Sequence, residues 1–122
     1  MTFYCGPAHT PQEPRVNRCC LVYMTVRDND EALLMGRALV NEKLCACVNI
    51  LGPVRSLYLW KDAVHDDPEV ALIAKTTEAT LPALLERAKA LHSYENPCIV
   101  ALPISAGSPP FLDWITETVT SP

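Results

Sequence analysis

Val54-Arg55-Ser56-Leu57-Tyr58-Leu59-Trp60-Lys61-Asp62-Ala63-Val64-His65 is the stretch on which the fold turns. Aromatic and branched side chains suit a pleated strand, and they stand on both sides of the short polar pair Lys61-Asp62. A two-residue connection between two such runs closes them into an antiparallel hairpin. Upstream the β-prone run reaches back to Cys45, broken only by Gly52-Pro53, a pair that fits a bulge or bend better than a regular ladder. Downstream the returning strand runs to Thr76, with Asp66-Asp67-Pro68 expected as an interruption. The two strands form one long hairpin.

On the N-terminal side, Cys19 to Val26 is a continuous apolar run that reads as the first strand. Arg27-Asp28-Asn29-Asp30 offers helix N-caps, and Ala32, Met35, Gly36, Leu39 and Val40 recur on one helical face, giving a helix expected to end near Leu44. On the C-terminal side, Thr77 or Thr80 can cap a helix with Pro82 in its first turn and Leu81, Leu84, Leu85, Ala88 and Leu91 at helical spacing. A polar loop, His92 to Pro97, leads to a fourth strand over Cys98–Ile104; a second loop precedes a short helix with Phe111, Trp114 and Ile115 on one face. The order β-α-β-β-α-β is the α+β, split βαβ pattern of the ferredoxin-like fold, with both long helices on one face of a four-stranded antiparallel sheet. The other face and the hairpin edges carry enough apolar side chains to predict self-association.

Composition fits that architecture. At 122 residues, 49% hydrophobic and 20% charged, the chain resembles an ordinary globular domain that needs no disulfides to fold. Ten basic residues against 14 acidic ones leave a net charge of -4, with no Lys/Arg cluster to attract phosphates, so nucleic acid is not an expected partner. No apolar run approaches the ~18 residues of a membrane-spanning helix. Residues 1–18 hold Pro7, Pro11 and Pro14 and lack the apolar core of a secretory signal; they read as an arm ahead of a single domain over 19–122. Six cysteines without such a signal are expected to stay reduced, in the cytoplasm.

Ala46-Cys47-Val48-Asn49-Ile50, Tyr58-Leu59-Trp60, Lys75-Thr76-Thr77 and the loop His92-Ser93-Tyr94-Glu95-Asn96-Pro97 together resemble the CutA family of divalent-cation tolerance proteins, over about Leu21 to Val119. The resemblance implies a tight homotrimer, similar in architecture to the signalling protein PII, in which hairpin strands pair across subunits. It also implies a link to copper and other divalent cations. Family members described as copper-binding have a cysteine near the end of strand one and two histidines opening the loop; the matching positions here are Met24, Leu91 and His92, so one histidine is kept. Ser93 stands where the loop usually has proline, and Cys98 where the residue after Pro97 is often glutamate.

Candidate metal donors are therefore His92, Cys98 and Met24, an imidazole with two soft sulfur ligands. Each has an ordinary alternative: His92 as a helix C-terminal residue bonding free carbonyls, Met24 and Cys98 as strand hydrophobes. Cys45 and Cys47 are spaced to lie on one side of a strand, within reach of one soft ion, whereas Cys19 and Cys20 point to opposite faces. The likeness places Tyr58, Trp60, Lys75, Tyr94, Glu95 and Trp114 near subunit boundaries, where they line a small-ligand pocket or pack the trimer. Neither a catalytic Ser or His motif nor a phosphate-cradling Gly-rich loop is present, so neither enzymatic activity nor an organic cofactor is expected.

Overall fold

The computed structural model describes residues 18–120, so the arm expected over residues 1–18 lies outside the described residues apart from Arg18. Side-chain alternation along β1 (Cys19–Val26) sets the two faces of the sheet: Cys20, Val22, Met24 and Val26 are buried, while Leu21 and Tyr23 on the other face are half-buried. Helix α1 (Asn29–Asn41) starts at Asp28, whose carboxylate accepts the Glu31 N–H at 2.9 Å. Ala32, Met35, Gly36 and Leu39 form its buried face. A side chain at Gly36 would meet Val48 Cγ1 at 3.3 Å, so glycine sets the distance between α1 and the sheet.

The helix stops short of the expected end near Leu44. The Lys43 N–H returns to Val40 O at 3.0 Å and the Leu44 N–H to Leu39 O at 2.9 Å, with Lys43 itself at φ 59°. That is a Schellman ending with lysine in the left-handed position where glycine is usual, and nothing in the apolar spacing announces it.

β2 (Cys47–Trp60) and β3 (Ala63–Thr77) form the hairpin. Its register slips between Ile50 and Gly52, and Gly52 lies at φ 107°, so the expected bulge falls on the residue that tolerates it. Lys61 and Asp62, at φ 53° and 67°, make the tight turn. The interruption expected at Asp66-Asp67-Pro68 does not occur, and the strand runs through with Arg55 opposite Pro68. Here β3 has outlived its pairing with β1, which ends at Val26 opposite Val70, so a missing proline N–H is admissible. Arg55 grips Asp66 through two bonds of 2.9 and 2.7 Å, and the Tyr58 hydroxyl donates to Asp67 at 2.6 Å.

α2 (Leu81–Leu91) buries Leu84 and Ala88, β4 (Ile99–Pro103) pairs with β1, and α3 (Pro109–Thr120) closes the described chain. Thr80 is the N-cap of α2 without a side-chain cap; the Thr77 hydroxyl instead accepts the Thr80 N–H at 3.2 Å. The sheet order is β2-β3-β1-β4 with antiparallel neighbours, the ferredoxin-like arrangement. Val22, Met24, Leu72, Leu39 and Leu84 pack between sheet and helices α1 and α2. On the opposite face α3 seats Ile115 against Cys19 and Ala46, covering one end of a surface that the sequence reading left bare.

Among the described residues the hairpin has no strand neighbour past Val26, and it projects by about 20 Å at strand rise. Leu57, Leu59 and Val64 on this projection are 68, 70 and 75% exposed.

The turn residues supply a test. Non-glycine residues at positive φ cost about 1 kcal/mol each, so Lys61→Asn with Asp62→Gly should stabilise the chain by about that amount. A lower urea midpoint in the double variant would show that the turn is not of this type.

Candidate functional site

Where β1 ends and the hairpin leaves the sheet, the loop after α2 folds back and a polar corner forms. His92 follows the last turn of α2, and its N–H closes that turn on Ala88 O at 3.0 Å. Its imidazole is fully buried. Nε2 lies 2.8 Å from Thr25 O, and the Tyr94 N–H points at Nδ1 over 3.1 Å. A carbonyl oxygen only accepts and an amide N–H only donates, so Nε2 carries the hydrogen and Nδ1 supplies its lone pair to Tyr94.

Glu31 completes the clamp. Its Oε1 accepts the Arg27 N–H and its Oε2 the Ser93 N–H, both at 2.8 Å, and Oε2 lies 3.8 Å from His92 Nδ1. Burial opposes ionisation of this carboxyl, yet the Arg27 and Ser93 amides, with the Ser93 side chain, hold it below the ordinary glutamate range. Tyr94 donates to Glu69, and burial together with that carboxylate pushes its phenol above the usual value. Tyr58 faces the same corner; its bond to Asp67 raises its phenol too, and its ring stacks on His65 at 5.2 Å. Glu31, Asp67 and Glu69 bring carboxylates to the corner, and the Arg27 guanidinium, bonded to Asp28 at 3.1 Å, stands near Glu31 and Tyr94.

The residues named from sequence as metal donors divide. His92 bonds a strand carbonyl rather than those of its own helix, and with both ring nitrogens engaged it has no lone pair free for a metal. Met24 is 0% exposed within the core beneath the helices. Cys98 is exposed just before β4, with its carbonyl accepting the Thr25 N–H at 3.4 Å. Among the described residues no group of three or more His, Cys, Asp or Glu side chains is placed to hold a metal ion. The donor set in one chain does not fit a resident copper ion.

Cys45 and Cys47 correct the expectation of a shared side. The segment before β2 is not regular strand, so Cys45 lies in the core under α1 while Cys47 faces the other way beside Lys75. The pocket candidates are likewise spread out: Tyr94 packs on His92 in the corner, Tyr58 stacks on His65 along the hairpin, Trp60 sits at the hairpin tip under the Lys61 ammonium, Lys75 lies on the open sheet face, Glu95 is exposed in the loop, and Trp114 packs on Phe111 along α3. Within one chain they form no single pocket. Sequence reading passed over Glu31 and Glu69. Asp28-x-x-Glu31 before an apolar helical run is a capping signal that could have pointed to Glu31; nothing local marks Glu69.

The family model described as CutA1 divalent ion tolerance protein matches residues 20–118. The chain belongs to the CutA1 family. It is 46% identical over 97 residues to the divalent-cation tolerance protein CutA of Thermus thermophilus, covering 80% of this chain and 94% of that one. It is 41% identical over 98 residues to the chloroplastic protein CutA 1 of Oryza sativa, but spans only 55% of that longer relative. The solved CutA of Archaeoglobus fulgidus, described as a periplasmic divalent cation tolerance protein, superposes with a TM-score of 0.80 at 40% identity, covering 83% of this chain and 98% of its own. The fold of the CutA1 family is thus present over the whole sheet and its helices.

Two outcomes check this corner. Glu31 has a lowered folded-state pKa, so its contribution is complete above about pH 4.5 and is lost as pH falls through the folded value. Glu31→Gln should lower stability at pH 7 by about 2 kcal/mol, because the Gln amide has one acceptor oxygen and leaves the Arg27 or the Ser93 N–H facing its NH2, and should flatten the acid limb of the unfolding profile. An unchanged acid limb would remove the carboxylate from the clamp. Met24→Leu, a volume-conserving change in the core, should cost less than about 1.5 kcal/mol and leave copper uptake unaltered in a chelator competition.

Proposed function

We propose that this chain serves divalent-cation tolerance as a non-enzymatic homotrimer in the cytoplasm, in which the projecting hairpin of each subunit pairs with its neighbour. The observation that carries this reading is the projection itself: a two-stranded ribbon is marginal in water alone, and this one displays Leu57, Leu59 and Val64. Among the described residues both edges of the sheet, β2 and β4, are also open to further strand pairing. Membership of the CutA1 family supports the same assembly.

Copper or another divalent cation is contacted weakly in this proposal. Cys98 is the exposed soft donor of the loop, the carboxylates of the corner attract positive charge, and His92 holds the loop in shape rather than ligating. A second reading is a PII-like signalling or adaptor trimer that binds a small anion or a partner protein in pockets between subunits, and the exposed aromatic residues Tyr58, Trp60 and Trp114 favour it.

Light scattering at micromolar concentration should return the mass of three 13.5 kDa chains, and Leu57→Lys with Leu59→Lys should shift it toward one. A monomeric parent protein would end the proposal. In a Cu(I) titration against a competing chelator, uptake should be weak and should vanish in Cys98→Ser. Uptake that survives that change would place the contact elsewhere.

A further inference from the structure

The His92 imidazole is wholly enclosed by its own chain, so its partners are set whatever covers the sheet face or the sheet edges. Nε2–H donates to Thr25 O at 2.8 Å, and the Nδ1 lone pair accepts the Tyr94 N–H at 3.1 Å. Glu31 Oε2 lies 3.8 Å from the same Nδ1, just outside hydrogen-bonding distance, while it accepts the Ser93 N–H at 2.8 Å. Nδ1 therefore faces one donor and one acceptor and can serve only one of them at a time. With a lone pair it holds Tyr94; with a proton it holds Glu31.

We propose that this geometry is a pH-operated latch on the loop 92–97, closed while Nδ1 carries a lone pair and opened at Tyr94 when Nδ1 takes a proton. Protonation sets two N–H groups against each other, and the Tyr94 amide loses its acceptor. The ring then leans toward Glu31. A carboxylate oxygen has two lone pairs, so Oε2 takes the ring proton and keeps the Ser93 N–H, while Thr25 O keeps the other ring N–H. The loop stays anchored at Ser93 and comes loose from Tyr94 onward. Its opening also releases the Tyr94 bond to Glu69 at the base of the hairpin, whereas the Cys98 carbonyl remains on the Thr25 N–H. Acid thus loosens the loop from the hairpin without unfolding the sheet, a regulation distinct from the cation contact at Cys98.

Every element around the ring contributes to its surroundings. From α1 comes Glu31; burial opposes its ionisation, but the Arg27 and Ser93 amides keep it below the ordinary glutamate range, so it is a carboxylate before the ring is charged. Ahead of α1 stands the Arg27 guanidinium, strengthened as a cation by its bond to Asp28, whose own carboxyl is lowered by the Glu31 N–H. The loop supplies Tyr94, its ring 4.7 Å from the imidazole; burial and Glu69 on β3 raise its phenol, and Tyr58 on β2, raised by Asp67, lies near it. β1 and α2 present only backbone to the residue, through Thr25 O and Ala88 O. Imidazole is the side chain whose charge changes between about pH 5 and 8, and Glu31 is placed to receive the new charge.

The test follows the isotope-labelled, metal-free full-length protein by NMR from about pH 8 to about pH 5. The His92 Nδ1 resonance should move from that of a lone-pair nitrogen to that of a protonated one. In step with it, the protection factor of the Tyr94 amide should fall by about tenfold or more, while that of Ser93 is retained. His92→Gln carries a donor and an acceptor but no titrating group, and it should keep Tyr94 protected at both ends of the range. That variant leaves His65 in place, so a pH response of Tyr94 that survives it would overturn the proposal. Should the variant fail to fold by circular dichroism, the parent protein decides: an Nδ1 that keeps its lone pair down to about pH 5 would overturn the latch. Equal loss of protection at Ser93 and Tyr94 would do the same, because Glu31 would then not be receiving the ring.

Discussion

Everything distinctive in this molecule follows from a mismatch of strand lengths. β2 and β3 run for 14 and 15 residues, whereas β1 and β4, which share their sheet, run for 8 and 5. A sheet can bury only as much strand as its shorter members cover, so the hairpin must leave the domain beyond Val26. That departure exposes backbone edges and apolar side chains at once, and a step is left at its base for the loop after α2 to fill.

The step is filled by polar groups because backbone ends there. Thr25 O, Arg27 N–H, Ser93 N–H and Tyr94 N–H all lie where strand or helix ladders have stopped, and buried groups of that kind require partners. Glu31 and His92 provide them with four contacts of 2.8 to 3.1 Å. The same satisfaction takes the imidazole out of the pool of metal ligands. Structural duty and ligation compete for the same two nitrogens, and in this chain the first has them.

Periodicity made most of the fold legible before any coordinates. The hairpin, its bulge at Gly52, the Lys61-Asp62 turn and the apolar face of α2 all rest on short-range rules, and each stands where the sequence reading put it. The misplaced features share another cause. Lys43 accepts a left-handed backbone for the sake of a Schellman ending, and Pro68 is tolerated because β1 has already stopped. Such outcomes depend on neighbours that are remote in sequence. Of the candidate site, the loop itself was readable from its motif, but Glu69 became part of it only through the reach of Tyr94 across to β3.

By itself the sequence determined the element order, the ferredoxin-like class, the family and the inventory of thiols, imidazoles and carboxylates, because these depend on residue identity and local spacing. Only the tertiary structure decided how that inventory is deployed. The irregular entry into β2 sends Cys45 to the core and Cys47 to Lys75, and the fold-back after α2 spends both nitrogens of His92 on backbone groups. Spacing along a chain states which donors exist; whether a donor still has a free lone pair is settled by what folds against it.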